Sequence, residues 1–343
     1  MNAAVSVADL SKTFHTTARR GGVTGTLRSL VRPDRREVEA AHGLSFDIEP
    51  GERVAFVGPN GAGKSTTIKM LSGVLYPTSG GASVLGLTPW ADRRALGHRI
   101  GTVFGQRSRL WLHLPASDAF DLLARVYGLD RVVYRRRRNE LVHRFGVGGL
   151  IDKPSRQLSL GERMRCELVA SLLHAPSVLF LDEPTIGLDV VAKATLRELV
   201  RHQSEAEGTT ILLTSHDTSD MEQVCERVLV INEGELLLDR DVGGLRCEYL
   251  GTKIVTVLTD EAGVEIDLPG VTVLSSRPHR SVFEIDRAKA SVEKVVQEIL
   301  ACCRLRDLTV EDPPMEDVVK AIYAGRRSAA VVVSPNRSPG GAL

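Results

Sequence analysis

Lys64, Ser65, Asp182, Glu183 and His216 are residue types that can act on a phosphate group, and each follows an apolar run. Lys64 and Ser65 lie in Gly58-Pro59-Asn60-Gly61-Ala62-Gly63-Lys64-Ser65-Thr66, a G-x-x-x-x-G-K-[ST] pattern. The pattern has meaning only in context. The run Val54-Ala55-Phe56-Val57 predicts a buried strand before it, and Thr67 to Ser72, closed by Gly73, predicts a helix after it. In a strand–turn–helix, bare glycines let successive backbone N–H groups converge on a phosphate, and the helix N-terminus adds partial positive charge. Lys64 can then reach the β- and γ-phosphates, and the Ser65 hydroxyl can ligate Mg²⁺. These residues imply a nucleotide site.

Asp182 ends the apolar run Ser177-Val178-Leu179-Phe180-Leu181, where its carboxylate can hold Mg²⁺ through water opposite Ser65. Glu183, next to it, can polarise an attacking water. A kinase has no need of that second carboxylate, because its nucleophile is a substrate hydroxyl. His216 follows the run Thr210-Ile211-Leu212-Leu213-Thr214 and can hydrogen-bond a γ-phosphate. Gln106 follows Ile100 to Phe104 and can reach the metal or the water. Polar groups at the C-terminal ends of several apolar strands predict an open α/β sheet that binds its ligand there.

The elements that must position these groups read as follows. Val5 to Phe14 and Gly43 to Ile48 predict strands, separated by a glycine- and arginine-rich segment from Arg19 to Arg36, a solvated hairpin or loop or else an anion contact. Phe14 can stack on an adenine ring or serve as plain core. Asp118 to Arg144 has helical periodicity, with Phe120, Leu122, Leu123, Val126, Tyr127, Leu141, Val142 and Phe145 as the apolar set. Its run Arg135 to Arg138 reads as a solvated helix face, with contact to lipid headgroups or an acidic partner as the alternative. A helix is expected from Leu158 to about His174, another after Gly187-Leu188-Asp189, and a hairpin from Val228 to Leu237 through Asn232-Glu233. Beyond Gly251, short strands at Lys253 to Leu258, Val271 to Ser275, Val282 to Ile285 and Leu308 to Val310, with helices at Ala290 to Leu300 and Glu316 to Ala324, predict a small α+β unit. Arg326 to Leu343 reads as a disordered tail.

Composition bounds the class. The 343 residues are 43% hydrophobic and 25% charged, with a formal net charge of +1, which gives no reason to expect nucleic acid. Cys166, Cys225, Cys247, Cys302 and Cys303 show no metal spacing and suggest reduced thiols in a cytosolic protein. Met1 to Leu10 lacks a signal pattern, and no apolar run approaches the roughly 20 residues that span a bilayer.

Taken in order, the phosphate loop, Gln106, Leu158-Ser159-Leu160-Gly161-Glu162, Leu181-Asp182-Glu183-Pro184, Gly187-Leu188-Asp189 and His216 resemble the nucleotide-binding subunit of an ATP-binding cassette (ABC) transporter, from about Val5 to Leu238. Thr185 to Asp189, the stretch Arg107 to Pro115 and the C-terminal unit resemble the ABC-2 type export branch. The resemblance implies a P-loop NTPase cassette over residues 1–240, with a RecA-like α/β core and a helical subdomain at about 107–158. It leaves a small α+β domain at 245–325 and a tail at 326–343. It implies ATP and Mg²⁺ as cofactors, with Ser65, Gln106 and Asp182 at the metal, Glu183 and His216 catalytic, and Phe14 and residues 58–66 on ATP.

By the same resemblance, two cassettes close head to tail, Ser159 and Gly161 bind the γ-phosphate held by the other copy's Lys64, and Glu162 joins the ATP-binding residues with its charge turned away from the γ-phosphate or onto a ribose hydroxyl. A separate integral membrane permease is the expected partner, met through Trp111 and Leu112, with simple core as the alternative for Trp111, and the chain is expected on the inner face of the cell membrane. Where the usual signature has two glycines and a glutamine, this chain has Leu160-Gly161-Glu162. A soluble, non-transport ABC ATPase acting on ribosomes or DNA is the alternative, and a regulatory subunit with little hydrolysis is a third reading.

Overall fold

In the computed structural model the described residues are 3–17, 35–105, 108–249, 252–262, 266, 268–287, 289–312, 315–316, 318–319 and 322. They divide between Asp239 and Arg240 into two compact units. Among them, no helix is long and apolar enough to cross a membrane.

The first unit has two sheets. Strands β1 (Val5–Thr17), β2 (Arg35–Ile48) and β4 (Ser79–Val84) form an antiparallel sheet in the order β2-β1-β4. The larger sheet is ordered β5-β6-β7-β3-β8-β9, from β3 (Arg53–Val57), β5 (Ile100–Phe104), β6 (Val178–Asp182), β7 (Thr210–Ser215), β8 (Arg227–Asn232) and β9 (Glu235–Asp241). β5, β6, β7, β3 and β8 are mutually parallel. Every residue of β6 and β7 is buried, as expected of central parallel strands. Helix α1 (Lys64–Leu71) follows β3 and contributes Ile68 and Leu71 to a core with Leu10, Leu44, Phe46 and Phe56. The Phe46 and Phe56 rings meet at 5.9 Å, tilted by 44°. Because the strands are parallel, the turns after β3, β5, β6 and β7 leave the same sheet edge. Register brings Val57 opposite Ser215, Phe104 opposite Asp182, and Asp182 opposite Thr214.

After the short α2 (Arg93–Gly97), the helical stretch expected from Asp118 to Arg144 is two helices, α3 (Ala116–Val126) and α4 (Arg131–Arg144). Gly128 takes a left-handed φ of 64° and stops α3, and the Asp130 carboxylate caps α4 by accepting from Val132 N and Val133 N. Leu122 and Val126, of the expected apolar set, are exposed. The arginine run is only half solvated. Arg137 forms a bidentate pair with Glu207 at 2.6 Å and donates to the Leu172 carbonyl, and Arg138 pairs with Asp121 at 3.6 Å. Helices α5 (Leu160–Leu172), α6 (Val190–Glu207) and α7 (Thr218–Val224) complete the unit.

The second unit opens with α8 (Val242–Tyr249). Its antiparallel sheet β11-β10-β12, from β10 (Thr252–Ala262), β11 (Val271–Asp286) and β12 (Leu305–Glu311), packs Val255, Val257, Phe283 and Ile285 against Val295 and Ile299 of α9 (Val292–Cys302). The two short strands expected between Val271 and Ile285 are one strand. A register shift, with His279 at φ 61°, lets it run through Pro278. Most of the Arg19–Arg36 segment, the Glu316–Ala324 helix in large part, and the expected tail lie outside the described residues.

Candidate functional site

The turn after β3 is shaped by what stands behind it. A β-carbon on Gly58 would lie 2.4 Å from the Ile231 carbonyl oxygen, and one on Gly63 would lie 2.0 Å from that of Ala40. Gly63, at φ 104°, is the N-cap of α1. Only glycine lets the backbone sit this close to β2 and β8 and still turn its N–H groups to one point. Lys64 is 4% exposed and donates to the carbonyls of Gly58 at 2.6 Å and Pro59 at 3.1 Å. Burial pushes its ammonium pKa down, opposed by the Glu183 and Asp182 carboxylates.

The Ser65 hydroxyl donates to Asp182 Oδ1 at 2.9 Å, and the Thr214 hydroxyl donates to the same oxygen at 2.7 Å. Glu183 Oε1 stands 3.8 Å from both Lys64 Nζ and His216 Nδ1. The Glu183 backbone has φ 51°, and its N–H donates to Thr214 O at 3.1 Å and to Thr214 Oγ1 at 3.0 Å. Gly105 closes the other side: its N–H donates to Asp182 O at 2.8 Å, and a β-carbon there would lie 2.3 Å from the Glu183 carbonyl oxygen. Lys64, Ser65, Asp182, Glu183 and His216 are thus brought together at one sheet edge. Gln106 lies outside the described residues.

Among the described residues no cluster of three or more His, Cys, Asp or Glu side chains could hold a metal ion by itself. Ser65 and Asp182 supply two hard oxygens beside a phosphate cradle. That set suits Mg²⁺, which takes few protein ligands and completes its shell with water and phosphate oxygens. Phe14 is 36% exposed, not core, and faces Val38 in the β1–β2 ladder, two residues before Ala40.

Ser159, Leu160, Gly161 and Glu162 line a groove of their own with Gly187 and Asp189. Ser159 caps α5 in a reciprocal pair: its hydroxyl accepts from Glu162 N at 3.3 Å, and its own N–H donates to Glu162 Oε2 at 2.8 Å. The Ser159 N–H, and then its hydroxyl, hold the Glu162 carboxyl below the usual carboxylate range. Glu162 therefore turns back onto its own helix end. Leu160 lies against Gly187, where a β-carbon would meet its Cδ2 at 3.0 Å, so the missing side chain at 187 makes room for the leucine.

Thr214 and Gly105, which position Glu183, and Glu167, which is buried and accepts from Ser108 Oγ and Arg109 N just after β5, escaped the motif reading. The available signals were a threonine inside an apolar strand and an acid inside an apolar helix.

The ABC transporter family model matches residues 41–186. The chain is 34% identical over 288 residues to the daunorubicin resistance ATP-binding protein DrrA3 of Streptomyces coeruleorubidus, covering 82% of this chain and 90% of the relative. It is 31% identical over 283 residues to the linearmycin resistance ATP-binding protein LnrL of Bacillus subtilis, covering 80% and 90%. Among solved structures it is similar to cbiO1 of Clostridium perfringens, part of an ABC transporter complex, with a TM-score of 0.58 and 26% identity over 72% of this chain and 92% of that one. The chain belongs to the ABC transporter family, as an ATP-binding subunit, an ATPase, of the export type.

Proposed function

We propose that this subunit binds Mg-ATP at the edge of its larger sheet, pairs with a second cassette, and drives export through a separate integral membrane permease. The observation that carries the reading is the placing of Glu183 Oε1 at 3.8 Å from both Lys64 and His216, beside the Ser65–Asp182 pair. Residues 58–66 wrap the phosphates, Lys64 binds their terminal oxygens, and Phe14 stacks on the base. Ser65 and Asp182, with Gln106, would hold Mg²⁺, which would neutralise charge on the phosphate oxygens. Glu183 orients and deprotonates the attacking water, with His216 poised to bond the γ-phosphate oxygen. The Ser159 hydroxyl and the Gly161 N–H, at the N-terminus of α5, take the γ-phosphate of the second cassette. Glu162 can keep its cap, because the Ser159 N–H it accepts from is not among the groups that meet the phosphate.

Residues 1–240 are the cassette in this reading, and 245–325 an accessory domain. The subunit sits in the cytoplasm, peripheral on the inner face of the cell membrane, with Trp111 and Leu112, each 47% exposed, toward the permease.

The test is recovery of the tagged Glu183→Gln chain from detergent-solubilised membranes with ATP present. The expected result is a dimer that brings down a polypeptide with several hydrophobic spans, with ATP turnover at least 100-fold below wild type. Recovery only from the soluble fraction, alone or with ribosomes or DNA, would leave a non-transport ABC ATPase. Equal turnover by mutant and wild type would overturn the role of Glu183.

A further inference from the structure

Asp220, on α7, is fully buried and belongs to none of the motifs above. Its Oδ2 accepts from Thr185 Oγ1 and Ser215 Oγ, each at 2.6 Å, and its Oδ1 accepts from Arg197 Nε at 2.6 Å. Thr185 lies two residues past Glu183, and Ser215 immediately before His216. A second layer encloses the same loop. Arg197 Nη2 donates to Asp217 Oδ2 at 3.1 Å, Lys193 Nζ donates to that oxygen at 2.8 Å, and Asp217 N donates to Ser215 Oγ at 2.9 Å. The residues on both sides of His216 are therefore tied, directly or through Arg197, to the carboxylate that holds the loop behind Glu183.

Stability alone is a poor reason for such an arrangement. A buried ion pair gains little over well-packed apolar side chains, because both charges must be desolvated. Its particular capacity is geometric: one carboxylate with short bonds to two loops holds them in a single frame. The Glu183 backbone needs that frame, since φ 51° is disfavoured for a residue with a β-carbon and persists only where its surroundings impose it. Thr214 and Gly105 grip Glu183 from one side, and Thr185 anchors the loop on the other.

We infer that Asp220 is a positioning residue for ATP hydrolysis, setting the Glu183 and His216 loops relative to each other without touching the nucleotide. The inference rests on the roles proposed above for Glu183 and His216. A misplacement of about 1 Å between reacting groups is enough to lower a rate by up to 100-fold.

The test uses the full chain and a pair of substitutions at Thr185, 5% exposed. Thr185→Val keeps the shape and removes the hydroxyl. Thr185→Ser keeps the hydroxyl and removes a methyl. Asp220 stays paired with Ser215 and Arg197 in both, which avoids the folding defect expected of Asp220→Asn. The expected result is a kcat about tenfold lower in Thr185→Val, a KM for Mg-ATP within about twofold of wild type, and recovery of kcat in Thr185→Ser. Melting temperatures of both variants are measured alongside. Turnover that follows thermal stability, or a wild-type kcat in Thr185→Val, would overturn the inference and leave Asp220 a structural residue. Glu183→Gln is the control. Its inactivity beside an unaffected Thr185→Val removes the positioning role alone, whereas wild-type turnover by Glu183→Gln removes the underlying assignment and the inference with it.

Discussion

Gly61 and Gly63 sit in one loop, both with positive φ, 85° and 104°, yet their surroundings differ. A β-carbon on Gly61 meets nothing within 4 Å, while one on Gly63 meets the Ala40 carbonyl oxygen at 2.0 Å. Gly61→Ala therefore bears only the cost of a left-handed L residue, about 1–2 kcal/mol. Gly63→Ala must also push β2 away from the phosphate turn. We expect Gly61→Ala to retain binding of a fluorescent ATP analogue, measured by titration, and Gly63→Ala to lose it. Equal affinity in the two variants would show that the packing against Ala40 does not shape the turn. The motif spelling is the same for both glycines. Their difference lies in β2, which comes from a separate part of the chain.

At the scale of elements, the end of α5 shows how a helix is locked to its neighbours. His174, just past α5, stacks on Tyr127 at 3.9 Å and 11° between ring planes, and its Nε2 bonds the Ile100 carbonyl of β5 at 2.9 Å. Burial is the main cause of an imidazole pKa pushed down to about 4 from 6.5. Between those values the unfolded chain binds a proton that the folded chain does not, so stability is complete above pH 6.5 and falls as the pH drops toward 4. By pH 5 the loss from this group is about 2 kcal/mol. Urea midpoints at pH 7.5 and pH 5 should differ less in His174→Phe than in wild type, since phenylalanine keeps the ring stack and does not titrate. An unchanged difference would place the acid sensitivity elsewhere. Nearby, Arg137 and Arg144 both reach Glu207 of α6, tying α4 to the α6 C-terminus. Burial raises the Glu207 pKa, and hydrogen bonds from Arg137 and Arg144 outweigh it and hold the carboxyl low. That contribution is present above pH 4.5 and is lost as the pH falls through the lowered value.

For the whole molecule, the question is where a membrane partner would dock. Trp111 and Leu112 follow β5 by a few residues and face solvent, which answers the alternatives at Trp111 against simple core. Leu112→Glu, added to Glu183→Gln, should abolish ATP-dependent recovery of a hydrophobic polypeptide while the melting temperature stays within a few degrees, since an exposed substitution costs little stability. Retained recovery would move the contact off this surface. By itself, the sequence determined the strand–turn–helix around Lys64, the apolar strands that end at Asp182 and His216, and the order of motifs from Gly58 to His216. Each of these is a local pattern of residue type and spacing, and the parallel β5-β6-β7-β3-β8 arrangement follows from strands apolar on both faces. What the tertiary structure alone decided is which partners those residues meet. Thr214 on Glu183, Gly105 against its carbonyl, Asp220 under two loops, and Gly187 making room for Leu160 depend largely on chain segments far apart in sequence. Hydrogen bonds and close contacts act over a few ångströms of space, so no spacing along the chain could encode them. The break between α3 and α4, by contrast, carried a local signal in Gly128 and the capping Asp130, whereas the single long β11 rests on its pairing with β10 across a register shift.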